Sequence, residues 1–304
     1  MDEVLYACRF LQFTAAMLIF GTAAFRVYAP AGNDTRAVAD LLAEFDACFG
    51  RVLLIASLVA LISAIASLFY QAGAMAGSPA SAVDLATVKA VLFETQFGRV
   101  WCGHLLLAAA LVLATLRLRP GQPVIFILAL GLLASHAWVG HAVMDHGAAR
   151  IAHEANQTVH LLAAGLWLGG LVPLGWVLRQ ARRPLGEISM MSVALRNFSH
   201  MGYAAVALLV LTGAINTRLL VGSFGAMADT SYGRLLAFKL LLFSLMVAVA
   251  LINRFRLAPR IRHDAGALRA LRRSVALEQG LALAVLAIVS VLGAWPPALY
   301  GGNR

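Results

Sequence analysis

Long apolar stretches separated by short polar ones dominate this chain. Runs long enough to cross a hydrocarbon core of about 30 Å, which takes roughly 20 helical residues, fall at 4–28, 48–72, 100–118, 122–143, 155–178, 199–220, 234–255 and 277–296. Lipid offers no partner to an open backbone group, so each run is expected to be a helix. The pattern predicts an all-α polytopic integral membrane protein, a bundle of about eight transmembrane helices forming a single transmembrane domain over 1–304. The first run is expected to be a retained span: its leader Met1-Asp2-Glu3 is acidic, and no small-residue cleavage pattern follows a short apolar core.

The longest connections, 29–47, 73–99, 179–198 and 256–276, are short for folded units of their own. The one over 73–99 has Gly73, Gly77, Ser78 and Pro79 ahead of DLATVKAVLFETQFGR, which predicts an outer loop carrying an interfacial helix. In the fifth run Gly165 and Gly169 form a GxxxG pair beside Gly170, the pattern that lets a neighbouring helix come close.

Composition and charge turn this pattern into an orientation. Hydrophobic residues make up 61% of the 304 positions and charged residues 12%, against about a quarter charged in a soluble domain. Eight spans put both termini on one side. Sixteen of the 24 lysines and arginines lie after spans one, three, five and seven or on their flanks, among them the cluster from Arg254 to Arg273. The positive-inside rule makes that side cytoplasmic and both termini periplasmic. The net charge of +10 is then explained by anchoring at anionic lipid headgroups and needs no nucleic acid. Cys8, Cys48 and Cys102 are isolated, with no CxxC pair, which argues against a disulfide framework.

Five of the eight histidines, His136, His141, His146, His153 and His160, fall between the end of the fourth run and the start of the fifth. At about 1.5 Å of rise per residue, His136 lies some 10 Å inside the outer end of its helix, His160 roughly 8 Å, and His104 of the third run at a similar depth. Three helices are thus expected to bring an imidazole to one outer layer. His136 and His141 are about 140° apart around a helix and do not easily face one spot. His153 and His160 are nearly eclipsed but some 10 Å apart along the axis, too far to share an ion at ligand distances near 2 Å. They form successive stations on one face, with Asn156 and Gln157 between them.

Met144, Asp145 and His146 add a thioether, a carboxylate and an imidazole at the mouth. The candidate metal ligands are therefore His104, His136, His141, Met144, Asp145, His146, His153 and His160. Imidazole with thioether suits copper, as Cu(I) or Cu(II), with sulfur favouring Cu(I). Zinc, which also takes imidazole and carboxylate, is the second choice. A haem held between His104 or His136 and His160, in an electron-transfer protein, is the alternative of a different class. The plain reading of a single intramembrane histidine is a helix–helix hydrogen bond.

On the inner side Cys48, Met190, Met191, Met201 and His200 are soft-ligand candidates for an exit, while His200 and His263 are more simply surface residues. Gln12, Thr212, Asn216, Thr217 and Gln279 are expected to face the bundle interior, since polar groups in lipid need partners. His153-Glu154 lacks the second histidine of HExxH, which argues against a zinc hydrolase and for a protein without catalysis.

Two stretches resemble the CopD family of bacterial inner-membrane copper-resistance proteins. One is His160 followed by LLAAGLWLGGLVPL. The other is RNFSHMGYAAVALLVLTGAINT with TSYGRLLAFKLLLFSLMVAVALINR, where Phe198, Ser199, Thr212, Gly213, Thr230, Tyr232-Gly233-Arg234, Lys239 and Asn253-Arg254 keep the family's order and spacing. The clear likeness covers a core over 155–295. It implies copper handling at the inner membrane, described for the family as uptake into the cytoplasm in partnership with a periplasmic copper-binding CopC protein. Some relatives carry that partner fused; here no outer loop is long enough for it, so a separate donor is implied.

Overall fold

A computed structural model describes residues 2–29, 35–139, 147–180, 185–222, 224–261 and 264–298. Every regular element among them is helical: α1 (Asp2–Tyr28), α2 (Thr35–Met75), α3 (Leu85–Glu94), α4 (Gln96–Arg117), α5 (Pro123–Ser135), α6 (Gly147–Ala164), α7 (Gly170–Gln180), α8 (Leu185–Leu220), α9 (Phe224–Asp229), α10 (Ser231–Ile252) and α11 (Ala265–Leu292), joined in places by short 3-10 or π turns. Among the described residues seven rods are long and apolar enough to span a bilayer. The eighth is α5 with the 3-10 turn His136–Val139. Thirteen α residues and four 3-10 residues rise about 20 and 8 Å, close to the hydrocarbon thickness of about 30 Å.

The rods outrun the apolar runs that announced them. Helix α2 starts at Thr35, α8 at Leu185 and α11 at Ala265, so much of the expected connections 29–47, 179–198 and 256–276 is helix. Those segments are rich in Ala, Leu, Glu and Arg, good helix formers whatever their polarity, and a hydropathy window stops where the lipid does. The start of α11 is capped by Asp264, which accepts from the Gly266 N–H at 2.6 Å. The 73–99 connection contains the expected helix. In α3 the cap is Asp84, which accepts from the Thr87 N–H and hydroxyl, and Val91 packs with Ala64, Leu68 and Trp101 on α2 and α4.

At the centre stand α1 and the rod α6–α7. Gly21 of α1 faces the backbone of Gly165 and Gly169, and a Cβ on Gly169 would meet the carbonyl of Met17. The GxxxG pair therefore does what its spacing predicts. Between α6 and α7 the helix widens into a π turn, Gly165–Gly169. Pro173 lies one turn on and has no N–H to give the carbonyl of Gly169, so the ladder shifts register there. Helices α2, α4 and α5 lie to one side of this centre and α8, α10 and α11 to the other. Arg26 near the end of α1 forks onto Asp46 of α2, Nε and Nη2 donating at 2.6 and 2.8 Å.

Candidate functional site

Two buried imidazoles meet where α4 and α5 pack. His104 and His136 are 1% and 7% exposed, with ring centroids 4.6 Å apart and planes at 89°. Trp101, one turn before His104, stacks on it at 4.5 Å while its Nε1 donates to the Ala64 carbonyl. Phe13 of α1 closes the other side, 4.9 Å from His136. The rings of Phe97, Trp101, His104, His136 and Phe13 thus form one continuous ladder from α4 to α1.

Hydrogen bonds fix which nitrogen of each ring is free. Ser135 donates to the Leu132 carbonyl at 2.7 Å; having spent its one proton, it must accept from His104 Nδ1, also 2.7 Å away. His136 Nδ1 donates to the same Leu132 carbonyl at 3.0 Å. Both rings therefore carry their proton on Nδ1 and present Nε2 as a bare lone pair. Neither Nε2 has a hydrogen-bond partner, and both are buried. An orphaned acceptor in a water-poor site is costly, and a second nitrogen tied to a carbonyl or hydroxyl is how ligand histidines are oriented.

His160 repeats the arrangement on α6. Thr212 of α8 donates to the Leu208 carbonyl at 2.6 Å and accepts from His160 Nδ1 at 2.8 Å. His136, His153 and His160 line one cavity of about 990 Å³ bounded by α1, α6, α8, α10 and α11. His104 sits behind His136, outside that lining. The three imidazoles divide into a His104–His136 pair and His160, which shares the cavity lining with His136. Among the described residues no three His, Cys, Asp or Glu side chains are placed to hold one ion. His141, Met144, Asp145 and His146 lie outside the described residues.

The other expected polar residues turn inward. Gln12 donates to Ser67 of α2, and Gln279 to the Leu171 carbonyl. Asn156 donates to Asn216, which donates on to Gln157, zipping α6 to α8; Thr217 lines the cavity. Of the soft-ligand candidates for an exit, Met191 is buried in the core, whereas Cys48 and His200 are exposed and Met201 half-buried. The side chain of Met190 and all of His263 lie outside the described residues.

Several residues of consequence had been given no place in the site by the sequence. Ser135 and Trp101 set the ring orientations, and Trp101 precedes His104 by three, the spacing of neighbours on a helix face. Glu278, buried in α11, accepts from Asn253 of the π turn Asn253–Leu257. Arg9 and Lys239 line the cavity. A charged residue inside an apolar run is the signal that marks Arg9, Lys239 and Glu278.

Comparison with known proteins bears on this geometry. Residues 1–151 match the family described as copper resistance protein D-like, N-terminal domain, and residues 192–292 the family copper resistance protein D. Copper resistance protein D of Pseudomonas syringae pv. tomato is 32% identical, with 99% of each chain covered. The chain belongs to the copper resistance protein D family. Inner membrane protein YebZ of Escherichia coli K12 is 33% identical, covering 96% of this chain and 97% of YebZ. Copper transport protein CutJ of Bacillus subtilis is 27% identical over 95% of this chain but 52% of its own length. No solved structure matches the chain. Membership makes this a copper-related, multi-pass protein of the inner membrane type, and its first 151 residues, which include the His104–His136 pair, match a family domain of their own.

Proposed function

We propose that this chain moves copper across the bacterial inner membrane, inward from a periplasmic CopC-type donor, with both termini in the periplasm. The observation that carries the reading is the pair of buried, unpartnered Nε2 atoms on His104 and His136, each oriented through its own Nδ1. Two neutral imidazoles in an apolar shell suit Cu(I), which takes soft and imidazole donors at low coordination number. CutJ, which is named as a copper transport protein, is matched over 95% of this chain and 52% of its own length.

In this reading His141, Met144, Asp145 and His146 capture the ion, His153 and His160 receive it in the cavity, and His136 passes it to His104. Weak successive sites let an ion leave as readily as it enters. Titrating Cu(I) into the purified protein against a chromophoric chelator tests the site. His136→Ala should weaken binding by roughly tenfold or more, the scale of about 1.4 kcal/mol or greater; unchanged stoichiometry and affinity in a folded variant removes the residue from the route. The same sample's absorption spectrum separates the haem alternative, since a Soret band accompanies haem and not Cu(I). Cytoplasmic copper, measured in cells with and without the protein, should rise with expression; a fall reverses the direction.

A further inference from the structure

Charge on the cavity wall goes unused by copper handling. Arg9 of α1 and Lys239 of α10 both line the cavity, with Arg218 at its edge, and no Asp or Glu among the described residues is part of the lining. Arg218 donates to the Gly222 carbonyl at the end of its own helix. Arg9 has a buried Nε without a hydrogen-bond partner, and its guanidinium lies over Phe13, 5.8 Å from the ring centre. Lys239 forms no ion pair among the described residues. The two cations lie at matching depth: Arg9 is seven residues into α1 and Lys239 eight into α10, about 10 and 12 Å from ends on the same side. Both side chains are part-buried, and a cation within a membrane span that has no counter-charge among the described residues is costly and marks a binding function.

Much of the remaining wall is hydrocarbon, including Leu209, Leu236, Phe243 and Leu286, beside the three histidines, Gln157, Asn216 and Thr217. About 990 Å³ is the upper end of the range of roughly 300–1,000 Å³ for organic-ligand sites, far beyond what a bare ion fills. Helix α8 packs on α6 and α10 on α11, while among the described residues α8 and α10 are not packed along one another. Both helices carry large exposed apolar side chains, Leu211 on α8 and Leu241 on α10 among them.

We propose that the cavity binds an acidic phospholipid taken from the bilayer between α8 and α10, its phosphate held by Arg9 and Lys239 and an acyl chain lying along the apolar wall. Free phosphate would gain the two cations but leave the hydrocarbon wall unfilled; a zwitterionic lipid would bring its own positive charge to two others. The bound phosphate offsets fixed positive charge beside His136. The lipid does not depend on copper transport being right, because its test reads phospholipid and not metal.

The full-length protein, extracted in mild detergent and washed, is analysed by native mass spectrometry and by mass spectrometry of its extracted lipids. About one acidic phospholipid per chain should remain, and Arg9→Gln with Lys239→Gln should cut retention roughly tenfold or more, the scale of hydrogen bonds to a charged group. Lys239→Arg should keep it. If the double variant does not fold, the wild type is melted with short-chain phosphatidylglycerol, phosphatidylcholine or inorganic phosphate added, and the first alone should raise the midpoint. Equal retention by a folded double variant overturns the proposal. So does equal stabilisation by phosphatidylcholine or by inorganic phosphate, or a Soret band showing the space filled by haem.

Discussion

Ser135→Ala separates a copper ligand pair from two histidines that merely pack. The hydroxyl of Ser135 accepts from His104 Nδ1 and donates to the Leu132 carbonyl, both at 2.7 Å and both buried. Alanine removes the acceptor and leaves a buried Nδ1–H without a partner, a cost of about 1–3 kcal/mol. The ring can then move its proton to Nε2, the nitrogen that must be bare to bind a metal. Loss of such an orienting partner typically costs 10–100-fold in metal affinity, or about 1.4–2.8 kcal/mol, which agrees with the price of the lost bond. The assay is Cu(I) competition titration of the purified protein, run beside a thermal melt. Ser135→Ala should weaken Cu(I) binding within that range, and Ser135→Thr, which keeps the hydroxyl, should restore most of it. A folded Ser135→Ala protein with lowered melting midpoint but wild-type Cu(I) affinity would refute the assignment and leave His104 a packing residue.

Gly169→Ala should lower the melting midpoint and the yield of monodisperse protein, because the new methyl meets the Met17 carbonyl; overpacking costs about 1–3 kcal/mol, and here the neighbour is backbone that cannot swing away. A midpoint equal to wild type would show that α1 and the π turn are not so closely apposed. The cap of α3 should respond to acid. The side-chain bond from Thr87, then its backbone N–H, holds the Asp84 carboxyl below its ordinary value. The cap is therefore intact above the unfolded carboxylate range near 4 and is lost as pH falls through the lowered folded value. Hydrogen exchange at the Thr87 amide should quicken only there, and Asp84→Ala should exchange fast at every pH; protection indifferent to both pH and substitution removes the cap.

Much of this protein can be read without coordinates, because lipid enforces its own grammar. Unpaired backbone is forbidden in hydrocarbon, so apolar runs become helices, and GxxxG becomes the crossing of α1 over the π turn. The inward-facing Gln12, Thr212, Asn216 and Gln279 follow from the same demand for partners. Helix ends are less legible, since α2, α8 and α11 continue well past the lipid on good helix formers. The family likeness carried by Tyr232-Gly233-Arg234 and Asn253-Arg254 agrees with full-length matches to copper resistance protein D and YebZ.

The sequence determined helix number, the clustering of histidines along the chain and the family, each a consequence of periodicity or of residues close in the chain. Tertiary structure decided how those histidines divide. His104 and His136 become a pair because α4 packs on α5, and the Leu132 carbonyl with Ser135 sets both tautomers; His160 is held apart by Thr212 of α8. That the same cavity gathers Arg9 and Lys239, 230 positions apart in the chain, depends on how α1, α10 and α11 are arranged around it. Helix periodicity gives the direction of a side chain about its own axis, but only the packing of one helix against another says what that side chain faces.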